Sequence, residues 1–263
     1  MDLGLLNKTV LVSASSKGIG KAIAAAFVQE GANVVICSRS LSDIENTASE
    51  LMQYSKGKVL PLQCNVDSHE QILETVRITK EQFGSIDILV NNCGGPSAGF
   101  FEELSEEKWN SAYNQVLLSA KRFIEAVLPS MKENKWGRII NITSISVHQP
   151  IDNLILSNSF RAAVTGMSKT LSTQLARFKI TVNNVAPGFT LTERITELAK
   201  NRASVADKTI EEVIRDMTKE IPAGRMATTE EIAGAVLYFA SNQAAYTTGN
   251  SLHIDGGLVK GLF

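Results

Sequence analysis

The chain has 263 residues, 44% of them apolar and 20% charged, with a formal net charge of −1. Near-neutral charge leaves no electrostatic footprint for nucleic acid, and no apolar run approaches the roughly 20 residues that span a bilayer. The opening stretch MDLGLLNKTVLV has no basic segment ahead of an apolar one, so a cytoplasmic chain without a leader is expected.

Short β-branched runs alternate with longer helical patterns along the chain. Strands are predicted at 9–12, 33–37, 59–64, 86–91, 138–143, 181–186 and 251–255. Runs that are apolar on both faces suit a parallel sheet covered on both sides. Helices are predicted near 18–30, 42–54, 68–83, 105–133, 156–178 and 229–240. Ser42 with Glu45, Ser68 with Gln71 and Thr228 with Glu231 fit the capping-box spacing, while Gly31 and Gly84 stand where helices should end. This alternation implies an α/β fold of the Rossmann type, a doubly wound sheet in a single domain over residues 1–263. Residues 190–225 interrupt the rhythm with a polar, helical insertion, expected as a lid over the carboxyl edge of the sheet. Cys37, Cys64 and Cys93 lack metal-site spacing and are expected to be small buried hydrophobes; no metal is expected.

After the first strand, in SASSKGIGKAIAAAF, Gly18 and Gly20 open a helix. Such a turn aims backbone N–H groups and the positive helix end at an anion, here expected to be a pyrophosphate. A tight turn that serves only helix packing is the alternative.

SASSKGIG resembles the glycine turn of the short-chain dehydrogenase/reductase family. NNCGG (91–95), GRIINITSIS (137–146), VNNVAPGFTLT (182–192) and GNSLHIDGG (249–257) resemble that family's later landmarks, in order and at its spacing. The resemblance implies a seven-stranded sheet, an extended nicotinamide dinucleotide, a small-molecule substrate and a homotetramer or homodimer. Carried over residue by residue, it places Ser13, Ser15, Ser16, Lys17, Gly18, Ile19 and Gly20 in the phosphate turn. Ser38 and Arg39 follow the second strand, Asn65 and Val66 the third, and Asn92 and Gly94 the fourth. Arg161, Pro187, Gly188, Phe189, Thr190 and Thr192 stand at the nicotinamide end. The family's usual Thr and first Gly are here Ser13 and Ala14, and its adenine-side Asp is Asn65. An NAD site favours a carboxylate where Ser38 stands. Arg39 and Lys17 instead offer two cations to a 2′-phosphate, so NADP(H) is expected over NAD(H). The alternative leaves both as solvated surface charges.

In the resembled family a Ser, a Tyr and a Lys work together, with an Asn holding a relay water. Ser144 matches the serine. Thirteen residues on, the tyrosine position is Ser157, and four further on the lysine position is Arg161. The asparagine position falls on Val116, with Asn114 two residues away. None of Tyr54, Tyr113, Tyr238 and Tyr246 lies in a segment expected to replace the missing phenol. A positioned general acid contributes about 10²–10⁴-fold in rate. His148, near Asp152 on a loop expected to border the substrate, is a candidate substitute; ordinary loop residues are the alternative. Phe100, Phe101, His148, Phe189 and the insertion are expected to line a partly apolar pocket.

Three readings follow. The first is a divergent NADP(H)-dependent oxidoreductase acting on a carbonyl, an alcohol or an activated double bond. The second is a dinucleotide-binding pseudoenzyme or sensor. The third is a lyase- or dehalogenase-like enzyme using Arg161, weakened because Ser157 stands where such enzymes keep a Tyr.

Overall fold

Each of the seven apolar runs forms a strand in the computed structural model, which describes residues 2–262 apart from the side chains of residues 201, 202 and 205. These are β1 (Thr9–Val12), β2 (Asn33–Ser38), β3 (Val59–Gln63), β4 (Ile88–Asn91), β5 (Gly137–Ile142), β6 (Ile180–Pro187) and β7 (Ser251–Ile254). All pair in parallel, in the order β3-β2-β1-β4-β5-β6-β7. The chain winds outward from β1 in one direction and from β4 in the other. The crevice at their carboxyl ends is where such folds bind ligands.

Helices α1 (Gly18–Gln29), α2 (Leu41–Met52) and α3 (His69–Phe83) connect the first four strands. After β4 come α4 (Glu106–Ala112) and α5 (Ser119–Asn134), then α6 (Ile155–Leu175) after β5. After β6 follow α7 (Glu193–Ala206), α8 (Ile210–Lys219) and α9 (Thr229–Ala240). Among the described residues, no helix is long and apolar enough to cross a membrane.

Strand side chains divide by parity. Val10, Val12, Val34 and Ile36 pack on one face with Phe27 of α1 and Phe239 of α9. Leu11, Val35 and Leu89 pack on the other with Phe123 and Met131 of α5. Phe27, Phe123 and Phe239 are fully buried, each worth about 2 kcal/mol in apolar transfer. Cys37 and Cys64 belong to the second face and are buried, as expected for small hydrophobes. A hydrogen bond with Cys64, together with burial, pushes the Cys37 thiol well up.

One row of the second face is polar. Asn91, Asn141, Asn184 and Ser251 stand in register on β4, β5, β6 and β7. Asn91 Nδ2 donates to Asn141 Oδ1 at 2.8 Å, and Asn141 Nδ2 to Asn184 Oδ1 at 3.2 Å. Asn184 Nδ2 donates to Ser251 Oγ at 3.0 Å, and Ser168 Oγ on α6 also accepts from Asn141 at 2.9 Å. Buried amides persist in a sheet when hydrogen-bonded in this way.

Helix ends match the sequence with one shift. Thr228 and Glu231 form the expected capping box, and Ser68 accepts from the Gln71 N–H. At α2 the cap is Ser40, accepting from the Asp43 N–H, two residues before the expected Ser42. Gly84, at φ 82°, ends α3, in a conformation that glycine adopts without strain. The helix predicted over 105–133 is divided by a π-helical turn, Tyr113–Leu118, between α4 and α5. Such turns insert a residue into the helical phase and cluster at functional sites.

The insertion at 190–225 is less polar in space than in sequence. Ile195, Ala199, Val213 and Met217 of α7 and α8 close an apolar cluster of their own. Its roots are joined where the Leu191 N–H donates to the Ala227 carbonyl at 2.9 Å.

Candidate active site

A cleft of about 890 Å³ runs across the carboxyl ends of the strands from Arg39 to Ser157. Three hydroxyls brace its phosphate turn from behind. Ser13 Oγ donates to the Asn92 carbonyl at 2.7 Å and accepts from the Asn92 N–H at 2.9 Å. Ser15 Oγ donates to the Val12 carbonyl at 2.8 Å and accepts from the Cys37 N–H at 3.0 Å. Thr47 Oγ1 donates to the Ser16 carbonyl at 2.8 Å. Ser13 and Ser15 therefore shape the turn without lining the cleft; Ser16, Lys17, Gly18, Ile19 and Gly20 line it.

Ala14 takes a left-handed conformation, φ 48°, one that an alanine side chain strains. This strain is a reason why the resembled family keeps glycine here. Asn92 Nδ2 holds the Ala14 carbonyl at 2.9 Å. A Cβ at Gly20 would meet Ser15 Cα at 2.9 Å, which keeps that position a glycine. The first turn of α1 has no side-chain cap, leaving its N–H groups to an anion. On both counts the residues fit a dinucleotide pyrophosphate.

On the ribose side, Ser38 Oγ donates to the Ser40 carbonyl at 2.8 Å, and Arg39 is exposed at the cleft. Lys17 is ion-paired with Glu193, which holds its pKa above the ordinary lysine value. Asn65, Val66, Asn92 and Gly94 line the middle of the cleft.

At the nicotinamide end, Ser144 caps a short 3-10 turn and accepts from the Ser146 N–H at 3.1 Å. Ser157 lies on the first turn of α6, 7% exposed, facing the same cleft. Arg161, one turn on and 8% exposed, donates through Nη1 to the carbonyls of Ile142 (2.7 Å) and Thr143 (3.1 Å). The guanidinium thus clamps the end of β5 just before Ser144. Burial pushes the nearby Cys93 thiol up, against the pull of Arg161. Pro187, Gly188, Phe189, Thr190 and Thr192 complete this end.

His148 is not brought to the cleft. It meets His253 of β7 edge to face, centroids 4.0 Å apart. Burial and His148 together lower the His253 pKa, against the pull of Asp255. Asp152 and Phe100 line an adjoining cavity of about 860 Å³ that shares Ile145, Ile151 and Phe189 with the cleft. Phe101 is 68% exposed and lines neither. Among the described residues, Tyr54 is the one tyrosine on the cleft, reaching it from beyond α2 on the β2 side, opposite Ser144. Asn114 bonds the Asn110 carbonyl within its own helix. Gln115 and Arg194 also line the cleft. Neither belongs to a motif, and the π turn and the folded insertion place them there.

The family model described as Enoyl-(Acyl carrier protein) reductase matches residues 13–259. The chain is 34% identical over 256 residues to the 3-oxoacyl-[acyl-carrier-protein] reductase FabG of Vibrio cholerae, covering 97% of this chain and 99% of that protein. It is 32% identical to the uncharacterized oxidoreductase YvrD of Bacillus subtilis, over the whole of both. The crystal structure of L-sorbose reductase from Gluconobacter frateurii, complexed with NADPH and L-sorbose, superposes with a TM-score of 0.94 at 32% identity, covering all of both chains. Fold and cleft together define a doubly wound oxidoreductase built for a nicotinamide dinucleotide. The chain belongs to the short-chain dehydrogenase/reductase family.

Proposed function

We propose that the chain is an NADP(H)-dependent reductase of a small carbonyl compound or activated double bond, working with a non-standard proton-handling site. The observation that carries this reading is a complete dinucleotide cleft ending at Ser144, with Ser157 and Arg161 where a phenol and a lysine would stand. Arg39, exposed beside the ribose position, supports the preference for the 2′-phosphate. L-sorbose reductase and actinorhodin polyketide ketoreductase, both similar to this chain and both solved with NADPH, support the same cofactor.

A bound dinucleotide would supply hydride, while this chain's residues bind, orient and handle the proton. Ser144 and Ser157 hydrogen-bond the substrate oxygen. Neither hydroxyl is an acid at neutral pH, so each can act only as a relay: it passes its proton to the substrate oxygen and regains one from water admitted beside the short Ser157 side chain, the net proton coming from bulk solvent. Arg161 positions Ser144 through the Ile142 and Thr143 carbonyls. The cavity bordered by Phe100, Phe189 and the insertion admits the substrate, and the insertion acts as its lid. Cytoplasmic location and a homotetrameric or homodimeric state belong to the same reading, by resemblance to the family.

A second reading, a dinucleotide-binding pseudoenzyme, is favoured by the engagement of Arg161 Nη1 with backbone carbonyls. The lyase-like reading loses ground on the same contact. NADPH oxidation against ketones, aldehydes and enones, with cofactor titration in parallel, decides. Turnover of any of them supports the reductase; tight binding with no turnover supports the pseudoenzyme.

A further inference from the structure

Ile145, Ile151 and Phe189 line both the dinucleotide cleft and the cavity beside it. A carbonyl carried from the cavity to Ser144 passes between them. Ile145 belongs to the short 3-10 turn that Ser144 caps, and Phe189 follows β6. Ile151 lies in neither helix nor strand. Its place therefore depends on what holds its backbone.

The Leu154 N–H donates to the Ile151 carbonyl at 2.9 Å, closing a turn, and the Gly99 N–H donates to the Asn153 carbonyl at 2.8 Å. A further hold comes from the side. Asn158, on the first turn of α6, donates through Nδ2 to the Ile151 carbonyl at 3.0 Å, while its Oδ1 accepts from the Ile151 N–H at 3.5 Å. The Ile151 N–H can only donate and its carbonyl only accept, so these partners fix which way the amide points. One side chain thus holds both polar groups of one residue, as the partner residue in a strand ladder does. Successive helix residues point about 100° apart. Ser157 accordingly faces the cleft, and Asn158, next in sequence, faces the segment 149–154.

We propose that Asn158 is a positioning residue for the substrate: it fixes Ile151 where the cavity opens into the cleft, and so sets how closely a carbonyl approaches Ser144. The substrate role rests on the reductase reading. Asn158 itself lines neither space and acts through Ile151. A residue that served folding alone would weaken cofactor and substrate binding together. One that acts through Ile151 moves substrate binding and spares the cofactor.

The test uses the full chain with Asn158→Ala, Asn158→Asp, Ile151→Ala and the double variant of the two alanines. Aspartate keeps the size of asparagine and loses the Nδ2 donor, which separates the hydrogen bond from packing. Hydrogen exchange over 149–154 should quicken about three- to tenfold in both Asn158 variants, with the later turns of α6 unchanged. With NADPH and the ketone that wild type reduces fastest, KM should rise about three- to tenfold, while kcat moves by less than about twofold and NADPH affinity holds. Ile151→Ala should raise KM as well, and adding Asn158→Ala to it should change little further, because one residue acts through the other. Unchanged exchange over 149–154 overturns the proposal. So does a KM effect that persists in full on the Ile151→Ala background, or an equal loss of NADPH affinity. If wild type reduces nothing in the panel, the reductase reading fails and the substrate role with it. A wild type that turns over, with variants whose KM is unmoved, sinks the role of Asn158 and leaves the reductase reading standing.

Discussion

Lys17, in the turn after β1, is ion-paired with Glu193, the first residue of α7, so a single contact spans the cleft from phosphate turn to lid. The side chains are 70% and 71% exposed, and such pairs are weak. Its interest is competition, because Glu193 occupies the cation that a cofactor phosphate would use. Arg194 braces the same helix end against the other wall, donating to the Pro96 carbonyl at 2.9 Å.

Glu193→Gln should therefore strengthen NADP⁺ binding by roughly two- to fivefold, the scale of an exposed ion pair. Arg39→Ala should weaken NADP⁺ binding about tenfold or more while leaving NAD⁺ nearly unchanged. Calorimetric titration of both dinucleotides with each variant measures this. Equal affinities for the two cofactors, unmoved by Arg39→Ala, would sink the preference for the 2′-phosphate.

Ala14→Gly removes a side chain from a backbone held at φ 48°. Left-handed geometry strains a non-glycine residue by about 1–2 kcal/mol, and glycine's extra freedom in the unfolded chain returns part of that. A gain of roughly 0.5–1 kcal/mol is expected, or about 1–3 °C in melting temperature. A fall on thermal unfolding would show that the alanine methyl packs usefully.

Ser157→Tyr with Arg161→Lys restores the resembled pair. Turnover of a simple ketone should rise more in the double variant than in either single one, because the two groups act as a unit. Arg161→Lys alone should destabilise the fold by about 1–3 kcal/mol, since its clamp on the Ile142 and Thr143 carbonyls is lost. Steady-state NADPH oxidation and melting curves of the four proteins test both halves. A double variant slower than an active wild type would mean that 157 and 161 serve another mechanism.

His253 is held neutral by burial and by His148, its pKa below the ordinary value of 6.5, with only Asp255 pulling upward. The unfolded chain then binds the proton more readily than the folded one. The stability tied to this group is present above the unfolded pKa and is lost as pH falls from there through the lowered folded value. The melting temperature should drop from pH 7.5 towards 5.5, and His253→Leu should flatten that slope. An unchanged slope would assign the acid sensitivity to other groups.

The strands and the phosphate turn were legible because they rest on local rules. Apolar runs bounded by helical patterns marked all seven strands, and Gly18 and Gly20 marked the turn. The α2 cap was misplaced because Ser40 and Ser42 both offer a hydroxyl at the right distance from a hydrophobic run. Only backbone direction chooses Ser40. The π turn was invisible, since one extra residue in a helical phase leaves no compositional trace. His148 was a candidate set against an ordinary loop residue, and its neighbours in sequence could not decide between the two. Its partner His253 is 105 residues away, on the edge strand β7. The role of Arg161 was half legible: its charge was readable, but its bonds to β5 carbonyls belong to tertiary packing.

The amide row across β4, β5, β6 and β7 also acts as a proofreader of assembly. In a strand, a slip of one residue turns every side chain to the opposite face. A slipped β5 would push Asn141 among Phe27, Phe239 and their neighbours and strand the amides on either side. Any shift in this half of the sheet thus breaks several buried bonds at once. Among the described residues the β3-β2-β1 half has no such row, and β1 and β2 are apolar on both faces, so a slip there trades mostly one apolar contact for another. Mispairing during folding is therefore penalised unequally, lightly near the phosphate turn and heavily beneath Ser144 and Arg161, where the chemistry tolerates least displacement.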